Sequence, residues 1–155
     1  MIKLFEICQN EEKFVYLQEL QVLSEEAVTI RNGDCAASFM INRLRTATFT
    51  TEHLYALCMS VAMEVIAVIQ ISTGGVTFTC VPLDKVFQAA LLTNVVSLIL
   101  VHNHPSGKCI PSQEDMTVTS RLVEAGELIG VKIIDHLIVG DKEFYSIINK
   151  TGGKL

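Results

Sequence analysis

Residues 95–101, Val95-Val96-Ser97-Leu98-Ile99-Leu100-Val101, limit more than any other segment what this chain can fold into. The run is apolar apart from one serine and rich in β-branched side chains. It is too short for a buried helix, so it reads as a strand covered on both faces. Such a strand needs neighbours along its edges and helices above and below. It leads directly into His102-Asn103-His104 and a proline- and glycine-bearing loop, Pro105-Ser106-Gly107. Ser112 then opens a helix that runs to about Gly130.

The rest of the chain supplies the neighbours. Strands are expected over residues 2–8 and 13–23, around the polar turn Gln9-Asn10-Glu11-Glu12. A hairpin is expected over 52–60 and 65–72, ended by Thr73-Gly74-Gly75. Further strands fall at 131–139 and 144–148, with residues 151–155 as a frayed tail. Residues 35–44, with Phe39, Met40 and Leu44 on one face, have helical spacing, and a second helix begins at Pro82 and ends near Thr93. This order implies an α/β (α+β) fold, a mixed β-sheet flanked by helices. With 155 residues and no repeat or linker, one domain over 1–155 is expected.

Composition excludes several classes. Hydrophobic residues make up 50% of the chain and charged ones 19%, which supports a packed core and argues against disorder. The formal charge of −5 gives no support for a phosphate-binding surface. No apolar run is long enough to span a bilayer, and Met1-Ile2-Lys3-Leu4-Phe5-Glu6 does not look like a signal peptide. Cys8, Cys35, Cys58, Cys80 and Cys109 are scattered without a C-x-x-C pair, as expected of reduced thiols in a cytoplasm. Oligomeric state is left open.

The chemistry concentrates after the apolar strand. His102 and His104 are two apart, and side chains two apart on a strand share a face. Asp115 falls in the first turn of the next helix. Two imidazoles and one carboxylate would make a three-ligand zinc site whose fourth position stays open to water, an arrangement suited to hydrolysis. A plainer reading fits the same residues: Ser112 and Asp115 form an S-x-x-D capping box, and His-x-His is an ordinary strand pair. Spacing alone leaves both standing.

His102-x-His104, seven residues, Ser112, two residues and Asp115 reproduce the JAMM motif. The wider strings His102–Gly107, Pro111-Ser112, Glu114-Asp115, Arg121-Leu122-Val123-Glu124-Ala125-Gly126 and Asp135-His136-Leu137-Ile138-Val139-Gly140 resemble the RadC branch of the JAB/MPN family, over roughly residues 52–147. The resemblance implies a fold similar to that of cytidine deaminases and a zinc-dependent hydrolase, a metallopeptidase or isopeptidase acting on a peptide or protein. It implies Zn2+ held by His102, His104 and Asp115, Ser112 stabilising the oxyanion, and a general base on an upstream strand. Glu52, at the start of the first hairpin strand, fits the base position. Glu64, at the hairpin turn, reads as a solvated turn residue. His53 should face away from Glu52. His136 reads as a hydrogen-bonded sheet histidine rather than a ligand, with a supporting role at the site left open, and Cys109 as a partly buried bystander.

The chain departs from the RadC pattern at Pro82-Leu83-Asp84-Lys85, where a His-Pro-Arg-Glu run is usual, and at Ser60-Val61-Ala62-Met63-Glu64, an apolar hairpin tip suited to meeting a partner. Residues 1–50, two strands and a helix, lie outside the resemblance; 51–150 form the JAMM core. The alternative expectation is a RadC-like binding module of DNA repair or recombination, with a vestigial or structural zinc site and DNA or repair proteins as partners.

Overall fold

The computed structural model describes residues 1–74 and 81–155; Gly75, at the end of the expected hairpin, and Cys80 lie outside them. The elements run β1 (Ile2–Gln9), β2 (Val15–Ser24), α1 (Gly33–Leu44), a 3-10 turn (Thr46–Thr48), β3 (His53–Met59), β4 (Val65–Thr73), α2 (Leu83–Thr93), β5 (Ser97–Asn103), α3 (Gln113–Ile129), β6 (Lys132–Val139), β7 (Glu143–Ser146) and β8 (Thr151–Lys154). The strands form one mixed sheet in the order β2-β1-β4-β3-β5-β6-β7-β8. β1 with β4 and β5 with β6 run parallel; the other pairs are antiparallel.

β5 lies inside the sheet, between β3 and β6, and every one of its residues is buried. Its alternation divides the core. Ile99 and Val101 pack with Ala36, Ala37, Phe39 and Met40 of α1. Leu98 and Leu100 pack with Val86, Phe87 and Ala90 of α2 and Leu122 of α3. Because successive side chains take opposite faces, α1 covers one side of the sheet and α2 with α3 the other.

Three expectations shift. The central strand begins at Ser97 rather than Val95, because Asn94 takes a left-handed conformation (φ 54°) and the Val95 amide caps α2 on Ala90 O at 3.1 Å. The strand instead extends through His102 and Asn103. The expected frayed tail is β8, paired with β7 from Ser146↔Thr151 to Glu143↔Lys154. The hairpin tip is partly covered by the chain itself: Ile30 N donates to Met63 O at 2.8 Å and Val65 N to Val28 O at 2.9 Å, although Val61 stays 91% exposed. Among the described residues no helix is long and apolar enough to cross a membrane.

Candidate metal centre

His102 is the penultimate residue of β5, and its parity places it on the α2/α3 face, 5% exposed. His104 lies just past the strand, where its amide donates to Val139 O at 3.3 Å and so prolongs the β5–β6 contact by one bond. A turn closed by Gly107 N donating to His104 O at 2.9 Å carries the chain away. Asp115 comes from α3. Ser112 caps that helix, accepting from Asp115 N at 3.0 Å, and the Asp115 carboxylate accepts from Ser112 N at 2.7 Å. The capping box is real, and it is also what aims the carboxylate at the histidines.

The three side chains converge. His102 Nε2 lies 3.0 Å from His104 Nε2, 3.5 Å from Asp115 Oδ1, and His104 Nε2 lies 3.7 Å from Asp115 Oδ2. Ligands of a tetrahedral zinc at its usual bond lengths stand about 3.3 Å apart, so these spacings suit one small cation. His102 is enclosed, whereas His104 is half-buried and Ser112 exposed, so the cluster opens to solvent on one side.

A hydrogen-bond chain fixes the tautomers. Thr119 Oγ1 donates to Asp115 O at 2.6 Å, which leaves its lone pairs to accept from His136 Nδ1 at 2.7 Å. His136 Nε2, then unprotonated, accepts from His102 Nδ1 at 2.9 Å. His104 Nδ1 donates to Lys108 O at 2.9 Å. With both rings neutral, the Nε2 atoms therefore turn lone pairs toward each other and toward a carboxylate. Outer partners that accept the other ring N–H in this way orient metal-ligating histidines.

The electrostatics agree. Burial, then neighbouring His136, pushes the His102 pKa well below the ordinary value, so it is neutral and ready to ligate. Burial also lowers His136, to about 4. His104 is raised, first by its hydrogen bond with Asp115, with the Glu52 charge adding to it. Burial would raise Asp115, but His104, His102 and Ser112 more than offset it and hold the carboxyl below its usual range. Without a metal, the point between the rings attracts a proton instead.

Glu52 sits immediately before β3 and is partly buried. The antiparallel pairing Leu54↔His102 extrapolates to Glu52 beside His104 on the metal face, consistent with its charge acting on His104. Its carbonyl accepts from Gly74 N at 3.0 Å. His53 points to the other face, its ring 4.4 Å from that of Phe49. Glu64 is exposed at the far end of the hairpin, its carbonyl accepting from Ser60 N. Cys109 is buried against Ile138 and Ile147, donates to Glu143 O at 3.1 Å, and burial pushes its thiol up to about 12. The apolar pocket of about 460 Å³ lined by Met116, Thr119, Val123, Tyr145 and Ile147 contains none of the three ligands.

Two contributors escape sequence reasoning. Thr119 looks like any polar residue of a helix; only its place one turn after Asp115 hints at its role. Asn103, between the two histidines, is 1% exposed and bonds to the segment that carries Glu52.

The RadC-like JAB domain profile matches residues 30–153. The chain belongs to the RadC-like JAB domain family. The match begins upstream of the expected residue 52 and takes in α1, which packs against the strands that carry the site. Relatives include a UPF0758 protein of Desulforudis audaxviator, 40% identical over 119 residues, covering 77% of this chain and 51% of that protein. The UPF0758 protein YsxA of Bacillus subtilis is 37% identical over 130 residues, covering 84% and 55%. The chain spans about half the length of these relatives.

Proposed function

We propose that this RadC-like JAB domain is a zinc-dependent hydrolase that cleaves an amide bond in a peptide or protein, as a metallopeptidase or isopeptidase. The observation that carries the reading is the convergence of two Nε2 atoms and one carboxylate, fixed from behind by hydrogen bonds and open to solvent in front. A structural zinc would use a fourth protein ligand; among the described residues the cluster has three. Zinc bound there supplies a Lewis acid and brings the pKa of coordinated water toward neutrality.

The remaining roles belong to the chain. Glu52, beside His104, accepts a proton from the nucleophile and returns it to the leaving nitrogen. Ser112 Oγ, which in the resting geometry donates to Asp115 Oδ2 at 2.7 Å, turns its proton to the developing oxyanion. His102 and His104 hold the cation, and the capped α3 terminus holds Asp115 toward them.

The test compares wild type with Glu52→Gln. The glutamine keeps the shape and removes the base. Zinc affinity should stay nearly intact, while cleavage of any peptide or isopeptide substrate falls about a hundredfold or more. Equal turnover in the two proteins would move the base elsewhere. Zinc-loaded wild type that cuts no peptide or isopeptide, yet retains DNA or repair proteins, would favour the binding-module reading.

A further inference from the structure

We infer that Asn103 is a positioning residue that holds Glu52 against the metal centre from the opposite face of the sheet. The inference rests on the hydrolase reading for its catalytic consequence and on geometry alone for the contact itself.

The regular β3–β5 ladder ends at Leu54↔His102. Glu52 lies two residues beyond that end. The Asn103 side chain takes over the task. Its Oδ1 accepts from His53 N at 2.9 Å and its Nδ2 donates to Thr51 O at 3.0 Å. The carboxamide thus acts as a surrogate peptide group, gripping the chain on both sides of Glu52. Gly74 N donating to Glu52 O at 3.0 Å secures the β4 side. Asn103 is 1% exposed, and a carboxamide buried that deeply is costly unless bonded; both of its functional atoms are bonded here.

The chain position adds to the argument. Asn103 is the residue between His102 and His104, so whatever fixes its backbone fixes both imidazoles. Its side chain then ties the base-bearing segment to the same three residues. One short peptide sets the ligands and the base relative to one another, and preorganisation of this kind is what proton transfer requires. An apolar residue of similar size, such as leucine, would fill the space and drop the grip.

Two readouts test this on the full chain. The first needs no metal. In wild type the His53 amide should exchange slowly with solvent, and in Asn103→Leu about tenfold faster or more as that bond is lost; equal rates overturn the proposal. The second uses cobalt(II) in place of zinc. Asn103→Leu and Glu52→Gln should bind cobalt within a few-fold of wild type, since neither residue is a ligand. Both should displace the visible absorption band in the same direction, and the double variant should shift it no further than either single one. A wild-type band in Asn103→Leu beside a displaced band in Glu52→Gln overturns the proposal, and so does an unshifted band in Glu52→Gln. Should Asn103→Leu fail to fold, Asn103→Asp keeps the acceptor for His53 N, loses the donor to Thr51 O, and should give an intermediate band; a wild-type band there counts against the grip. Failure of wild type to bind cobalt sinks the metal reading while the exchange measurement still decides the contact.

Discussion

At His104 a proton and a metal would compete for one lone pair. Asp115 and Glu52 raise the pKa of this imidazole, whereas burial keeps His102 neutral far below it. Zinc uptake near neutral pH should therefore expel a proton chiefly from His104, and affinity should climb as pH rises through its raised pKa, then level off. Competition with a chelating dye between about pH 6 and 8, around the ordinary histidine value, reads this; a flat affinity over that range contradicts it. The tautomer chain makes a second expectation. Thr119→Val removes the acceptor for His136 Nδ1, freeing His136 to flip its tautomer and confront His102. Zinc affinity should drop about tenfold to a hundredfold. Thr117→Val, on the same helix with a comparable bond to Gln113 O at 2.8 Å, is the control and should leave affinity unchanged.

At the scale of elements, β6 shows what the sequence displays and what it hides. The cluster of His102, His104 and Asp115 is legible because the chain reproduces the JAMM motif; spacing alone leaves an ordinary capping box standing beside it. The role of His136 is harder to see. Its register against β5 jumps from Leu98↔Ile133 to Ile99↔Asp135, one extra residue in β6. Strict alternation from Ile133, on the α3 face, would send His136 to the α1 face; the irregularity turns it toward His102. No periodicity announces such a shift. Gly140, just after β6, is a related case: a Cβ there would lie 2.3 Å from Gly107 O, so the loop that follows His104 packs directly on glycine backbone. Gly140→Ala should push that loop away, cost about 1–3 kcal/mol of stability, and weaken zinc binding through His104. Chemical denaturation and zinc titration on the same variant check it; unchanged values for both would show that the loop yields freely.

For the whole molecule, the sheet brings the site together from distant stretches: residue 52 before β3, residues 102–104 at and just past the end of β5, residue 136 on β6 and residues 112–119 at the capped start of α3. None of these side chains forms the cluster until the strands are paired, so a metal should bind the folded chain far better than the unfolded one. Binding is then stability. At a free zinc concentration of about a hundred times Kd the gain is about 2.7 kcal/mol. For a chain of this length each kcal/mol raises the unfolding midpoint by roughly 2–4 °C, so zinc should add about 5–10 °C. Glu52→Gln should keep that gain, since the glutamate is not a ligand. His102→Ala should lose nearly all of it, although it also removes a buried ring and starts from a lower midpoint. The comparison is therefore the zinc-dependent increment in each protein, measured by thermal unfolding with and without metal. An equal increment in wild type and His102→Ala would place the bound zinc at other groups and remove the physical basis for the proposed hydrolysis.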